Sequence, residues 1–340
     1  MTTKQKATLV FFSSLAYLLW SGFQLPEKNN WSEESPVYEI LAYFGEPLPQ
    51  HAKNDADEKT IQRGYDLIHY GRTTGPDGKK SKYISKFYVC TSCHNHQRED
   101  PDLKVLKPEA RLDYAVKNNL KFLQGTTFYG IANREAWYND DYYLKYGDLV
   151  KPANKSLAEA TQLCATVCSS GRYLEEWELE AILAYYWDNQ IKLGDLDLNK
   201  TERSKVMTAN PSDGEEIINL IKSKYALKSP ATFGNSPKDK QKGYPYEGKP
   251  EIGKQIFRLS CQACHQKEGV AGLAFEAGEL DFRKFKRNIK KSGLYNLYDI
   301  VRYGTYTDKG KPRYMPHYTE ERMSDQQLEH LRAYIMQEAG

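Results

Sequence analysis

The sequence predicts an all-α protein with two similar domains in tandem behind an N-terminal hydrophobic segment. Three observations support this prediction. The pentapeptide Cys-x-x-Cys-His occurs twice, at residues 90–94 and 261–265. Each copy follows a stretch with apolar residues at helical spacing, and each half of the chain ends in another such stretch. The Ala-Tyr pairs of these two terminal stretches match at an offset of 149 residues (184 to 333).

The size and composition of the chain are consistent with two globular domains. At 340 residues it has room for two domains and their connections. Hydrophobic residues make up 40% and charged residues 27%, which is typical of globular and not of disordered proteins. The net charge of +3 is too small to indicate a nucleic-acid partner, and none is expected.

Cys-x-x-Cys-His is the attachment signature of c-type haem. The two thiols form thioethers with the haem vinyl groups, and the histidine becomes the proximal iron ligand. A single copy is also compatible with a redox pair or half a zinc site, but two copies in separate domain-sized segments disfavour both. We therefore predict two covalently bound haem c groups, held by Cys90, Cys93 and His94 and by Cys261, Cys264 and His265.

The N-terminus has the features of an export segment. Lys4 and Lys6 precede an apolar run over residues 7–23, as in a basic n-region followed by an h-region. The run is short for a membrane-spanning helix, which needs about 20 apolar residues. For residues 1–24 a cleaved signal peptide and an uncleaved membrane anchor therefore both stay open. Either one predicts a location on the periplasmic side of the bacterial inner membrane, with membrane association through residues 7–23 if the segment is kept.

The elements of the first half follow in order. Residues 25–57 are polar and contain four prolines, which predicts a tether or surface arm. The first domain is predicted to span 58–190. It opens with a helical pattern that contains Gly64, and it closes with a helix of about 13 residues over 174–187.

The second half repeats this plan in shorter form. Residues 191–244 are charged and proline-rich, which predicts an interdomain connection with one helix over 212–226. The second domain is predicted over 245–340, with Gly253 in the position of Gly64. Its last helix is predicted to start with Ser324 as N-cap.

The order of helix, haem motif, irregular loop and C-terminal helix resembles class I cytochrome c. The resemblance covers most of 245–338 and, more loosely, 58–190. It rests on Gly253 with Phe257, the second haem motif, Met315-Pro316 and residues 331–335. It implies two cytochrome c-like domains in which the first and last helices cross beside the haem, and it implies Met315 as the sixth ligand of the second haem iron.

The first domain lacks a methionine in the corresponding place. None occurs between the first haem motif and Met207, and the offset of 149 residues aligns Met315 with Thr166. Cys164 and Cys168 flank that position, so either thiolate is a candidate sixth ligand of the first iron. A disulfide between the two stays open as the alternative, since an exported protein meets an oxidising compartment. The fallback ligands are His69, His96 and Met207.

A second resemblance concerns the first domain. Residues 83–97 and 164–187 are similar to the first haem domain of thiosulfate dehydrogenases and related sulfur-oxidation cytochromes, which have a Cys-x6-Gly step before the last helix. Cys164 and Gly171 form that step here, although the cysteine lies farther from the haem motif than in that family. The resemblance implies His/Cys ligation, favours Cys164 over Cys168, and implies sulfur chemistry on thiosulfate.

Two functions from different classes therefore stay open. The favoured one is a di-haem c-type cytochrome that passes electrons from a respiratory or oxidising donor to an acceptor, with a redox protein or respiratory complex as its partner. The alternative is a thiosulfate dehydrogenase-like enzyme that oxidises a small sulfur anion at the first haem. Such an enzyme needs cationic groups near an accessible iron; the candidates are Arg98, Arg111, Lys117 and Arg134. No catalytic residue is assigned.

Overall fold

The computed structural model describes residues 30–267, 269–271, 274–275, 278–289, 291, 296–305 and 315–340. These residues form helices, turns and loops and contain no β-strand, which confirms the all-α prediction. The predicted signal peptide or anchor over 1–24 lies outside them. Within the described part of the chain, every helix is too short or too polar to cross a membrane.

The α-helices are, in chain order, α1 (Val37–Tyr43), α2 (Glu58–Tyr70), α3 (Pro108–Lys117), α4 (Tyr143–Tyr146), α5 (Val150–Lys155), α6 (Leu157–Leu163), α7 (Glu176–Asp188), α8 (Lys200–Thr208), α9 (Gly214–Lys222), α10 (Pro250–Ile256), α11 (Gln262–Cys264), α12 (Glu279–Ile289), α13 (Leu297–Tyr303) and α14 (Asp325–Glu338). A π-helical segment, Cys164–Cys168, continues α6, and another, Phe257–Cys261, continues α10. A 3₁₀ turn, Cys90–Ser92, contains the start of the first haem motif.

Local capping explains where several helices begin. Asp57 accepts a hydrogen bond from the Thr60 N–H at 2.7 Å, so α2 begins at Glu58 as predicted. Ser324 accepts a hydrogen bond from the Gln327 N–H at 3.2 Å, which confirms it as the N-cap of α14. The predicted start of α7 was two residues early, because Gln162 binds both backbone groups of Leu174 and holds it outside the helix.

Two helix pairs cross in the same way. α2 crosses α7 at Gly64, and α10 crosses α14 at Gly253, with no room for a side chain at either glycine. A Cβ at Gly64 would lie 2.0 Å from the Ala181 carbonyl oxygen and 2.8 Å from the Tyr185 Cβ; a Cβ at Gly253 would lie 2.0 Å from the His330 carbonyl oxygen and 2.8 Å from the Tyr334 Cβ. The offset of 149 residues read from the sequence relates both pairs of contact residues.

Buried apolar side chains form two cores. The first core includes α2 and α7, and it also takes Ile40 of α1 and Ile217 of α9. The predicted arm over 25–57 and connection over 191–244 thus each contribute an amphipathic helix to it. The second core includes α10 and α14. Leu112 of α3 packs into this second core, although α3 precedes the first core's last helix in the chain.

Candidate functional site

An apolar cavity in the first core brings several predicted site residues together. Cys90, Cys93 and His94 line it on one side, and Cys164 and Cys168 also line it, although about 70 residues separate the two groups in the chain. With its mouth included, the cavity encloses about 1300 Å³ of space free of protein atoms. Most of its other walls are apolar or aromatic, among them Leu67, Ile84, Trp137, Ile182 and Tyr186.

His94 is held in one orientation. Its Nδ1–H donates a hydrogen bond to the Thr126 carbonyl oxygen at 2.6 Å, which leaves Nε2 as the unprotonated ring nitrogen. The Phe128 ring stacks on the imidazole with centroids 4.6 Å apart and planes 19° apart. Gly125 lies so close that a Cβ there would sit 2.5 Å from the imidazole Cε1. These three positions were not identified from the sequence, because they follow the motif by about 30 residues.

This wall fits a covalently bound haem. Two thiols and an imidazole with Nε2 available as a donor face one apolar cavity, which is the donor set that c-type attachment requires. Burial raises the pKa of Cys90 to about 12 and lowers the pKa of His94, so both groups are neutral near pH 7.

The two additional cysteines lie together in the cavity wall. Both are thiols, and they lie on the π-helical segment Cys164–Cys168, a type of distortion that is frequent at functional sites. The hydrogen bond with Cys168, followed by burial, raises the pKa of Cys164 well above that of an ordinary thiol. The Tyr146 hydroxyl lies 3.5 Å from the Cys168 Sγ. A bound metal cation reverses this preference for the neutral thiol, because it stabilises the thiolate.

His317, which precedes α14 in the second half of the chain, lines the same cavity. The Lys145 Nζ lies 3.0 Å from the His317 Nδ1, and the His317 Nε2 is buried with no hydrogen-bond partner among the described residues. Burial, followed by the Lys145 charge, lowers the pKa of His317 to about 3, and burial lowers the pKa of Lys145 to about 8. Sequence reasoning missed both residues; the available signal for His317 was its place two residues after Met315.

The second motif has a similar proximal side. The His265 imidazole stacks on Phe275 with centroids 4.4 Å apart and planes 19° apart, which closely matches the stacking of His94 on Phe128. The Phe275 N–H donates to the His265 carbonyl oxygen at 2.6 Å. Burial raises the pKa of Cys261 to about 12.

Met315 is half-buried and lies outside the wall of the first cavity, whereas its neighbour Pro316 lines it. The Met315 N–H donates to the Thr305 hydroxyl at 2.6 Å, and the Thr305 N–H donates to the Met315 carbonyl oxygen at 2.9 Å. This pair of bonds holds the backbone of Met315 at the end of α13.

The other candidates lie elsewhere. The rings of His69 and His96 contact each other at 4.7 Å between centroids, outside the cavity wall, and Met207 packs against the first core. Among the cationic candidates, Arg98 pairs with Asp195 at 3.3 Å. Arg98, Arg111, Lys117 and Arg134 do not line the cavity.

The two motifs contact each other. The Cys264 Sγ lies 3.6 Å from the Ser92 carbonyl oxygen. Nearby, the Phe122 N–H donates to the Leu259 carbonyl oxygen at 2.8 Å, and the Tyr318 hydroxyl donates to the Phe122 carbonyl oxygen at 3.1 Å. The attachment sequences of the two halves therefore meet at the junction of the two cores.

A buried charge cluster lies behind His94. The Glu99 carboxylate, 1% exposed, accepts hydrogen bonds from the Arg322 Nη2 at 2.7 Å and from the Thr127 N–H at 2.9 Å, and the Arg111 Nη1 lies 3.6 Å away. Arg322 also donates to the Gly125 carbonyl oxygen at 2.7 Å. An arginine of the second half thus supports the backbone that orients His94.

Comparison with known proteins identifies one family. The family described as cytochrome C oxidase, cbb3-type, subunit III matches residues 248–335, a segment that contains the second haem motif and Met315. The match supports a c-type cytochrome domain in this segment, with covalently bound haem c and electron transfer via haem. No curated protein and no solved structure matches the chain.

Proposed function

We propose that this protein is a di-haem c-type cytochrome that transfers electrons between a respiratory or oxidising donor and an acceptor. The attachment residues are Cys90, Cys93 and His94 for one haem and Cys261, Cys264 and His265 for the other. Bound haem supplies an iron that gains and loses one electron at a time. The chain supplies the covalent anchors, the axial ligands and the apolar surroundings.

The contact between the two motifs is the observation that carries this proposal. Cys264 and the Ser92 carbonyl group are 3.6 Å apart, so the anchoring points of the two cofactors are neighbours. Two independent carriers would not need this proximity, whereas transfer of electrons within one chain does. The matched stacking of His94 on Phe128 and of His265 on Phe275 supports the same role for both motifs.

We further propose that the two cytochrome c-like domains span 58–190 and 245–340. The two glycine crossings support this, because Gly64 and Gly253 meet partners related by the same offset. Helices from the arm and the connection then complete the first core.

The sixth ligands are proposed to differ. Met315 serves the second iron, and Cys164, with Cys168 as the alternative, serves the first, because both cysteines share a cavity with His94. A thiolate lowers and a thioether raises the potential of a haem iron. Electrons are therefore expected to move from the first site toward the second, and a two-component redox titration with a higher potential at the first site would contradict this order.

Counting the haems tests the main proposal. Mass spectrometry and the haem absorbance of the purified protein are expected to give two haems per chain. The variant Cys90→Ala/Cys93→Ala is expected to retain one, and so is Cys261→Ala/Cys264→Ala. A single haem in the wild-type protein would refute the di-haem proposal.

A second function is supported by the cavity itself. Because Cys164, Cys168 and His317 line one open cavity, the chain has room for a small molecule beside the first site. In that case the protein is a thiosulfate dehydrogenase-like enzyme that oxidises a small sulfur anion. Reduction of the purified protein by thiosulfate would support this function, and haems that stay oxidised would exclude it.

The proposed setting is the periplasmic side of the inner membrane, where thioether attachment normally takes place in bacteria. A redox protein or respiratory complex is the expected partner. Residues 7–23 would either anchor the protein or be removed with a signal peptide. The mass of the protein isolated from membrane and soluble fractions distinguishes the two outcomes.

A further inference from the structure

We propose that His317 and Lys145 form a buried subsite for an anionic oxygen in the cavity beside the first haem motif. His317 belongs to the second half of the chain and Lys145 to the first, so the subsite exists only when the two halves are packed together. The inference rests on the proposed haem at the first motif, and it adds a ligand class to that site.

The hydrogen bond between the two residues determines which atom faces the ligand. A lysine ammonium only donates, so its contact at 3.0 Å makes the His317 Nδ1 the acceptor. The ring proton must then lie on Nε2, which makes Nε2 a hydrogen-bond donor. His317 is 6% exposed, and this donor has no partner within the described residues. A buried donor without a partner costs about 1–3 kcal/mol, which a bound acceptor would remove.

Aromatic contacts relate this donor to the cysteines. The His317 ring lies 5.8 Å from that of Tyr142, which stacks on Tyr146 at 6.0 Å, and the Tyr146 hydroxyl reaches the Cys168 Sγ at 3.5 Å. The Lys145 charge stands behind His317 and contributes a positive potential in a region of low dielectric constant. A donor N–H with a nearby cation is suited to an oxyanion or a carboxylate.

Two sources can supply such an oxygen: a carboxylate of the haem itself, or a small oxyanion from solution such as sulfate. Both would accept the same hydrogen bond from His317. A protonated Nε2 is not an iron ligand, so His317 acts here as a donor and not as a sixth ligand.

The test uses the holoprotein and the variants His317→Phe and Lys145→Met. His317→Phe keeps an aromatic ring against Phe233 but lacks the donor, whereas His317→Gln retains a side-chain N–H. Lys151→Met is the matched control, because Lys151 is 63% exposed and pairs with Asp148. Haem content is measured first, so that loss of the first haem, which would contradict the proposed function, is distinguished from failure of this inference.

Sulfate binding is then measured by calorimetry at constant ionic strength, and the potential of the first haem by redox titration. An external ligand predicts that sulfate binds the wild-type protein and that both variants weaken it at least tenfold, with recovery in His317→Gln. A haem carboxylate predicts no sulfate binding, and an oxidised-to-reduced ratio raised about tenfold in Lys145→Met, which equals 59 mV. Variants that behave like Lys151→Met in both measurements would overturn the inference.

Discussion

Replacing Arg322 by methionine tests the buried charge cluster. In the wild-type protein the Glu99 carboxylate is 1% exposed and Arg322 is 3% exposed, and their charged groups are 2.7 Å apart. Removing one partner of a buried ion pair typically costs 3–5 kcal/mol, because the other charge stays buried without compensation. Here Arg111 remains 3.6 Å from Glu99, so we expect a loss at the lower end, about 3 kcal/mol.

The assay is urea unfolding of the holoprotein at pH 7, followed by far-UV circular dichroism. Arg203→Met is the matched control, because Arg203 pairs with Glu33 while 29% and 58% of the two side chains are exposed. Such an exposed pair contributes about 0–1 kcal/mol. If Arg322→Met loses no more stability than Arg203→Met, the cluster is not the stabilising element inferred from its burial.

The same variant is expected to change the surroundings of His94. Arg322 donates to the Gly125 carbonyl oxygen, and the next residue, Thr126, accepts the His94 Nδ1–H. A shift in the potential of the first haem without a shift in the second would support this positioning role, since a purely structural loss would not single out one site.

Three further predictions concern acidity, packing and ligation. Burial, followed by repulsion from a neighbouring carboxylate, raises the pKa of Asp100 to about 6, so the folded state holds this proton more tightly than the unfolded chain and stability falls as the pH rises from about 4 to 6. Asp100→Asn should remove that fall and gain about 3 kcal/mol at pH 7, and unfolding profiles that stay parallel across this range would contradict it. Gly253→Ala should cost about 1–3 kcal/mol in urea unfolding through overpacking, whereas Gly278→Ala, with open space around it, should cost far less. In low-temperature EPR of the oxidised protein, Cys164→Ser should abolish a low-spin thiolate signal that Cys168→Ser retains; a wild-type protein without that signal would leave a disulfide as the better account of the two cysteines.

Some of the site could be read directly from residue spacing. Cys-x-x-Cys-His carries its chemistry in five consecutive residues, so Cys90 and Cys261 were identified without knowledge of the fold. The caps Asp57 and Ser324 also act over three residues. The extent of α3 and α8 was missed, because their apolar faces are short and gain their stability from packing.

The sequence by itself determined the all-α class, the two attachment motifs and the repeat that pairs Gly64 with Gly253. These features depend on local spacing or on a constant offset along the chain. The tertiary structure alone decided that Cys168 and His317 share a cavity and that the two motifs touch. Those contacts join residues about 150 or more positions apart, and they depend on how two cores pack against each other, which no local pattern encodes.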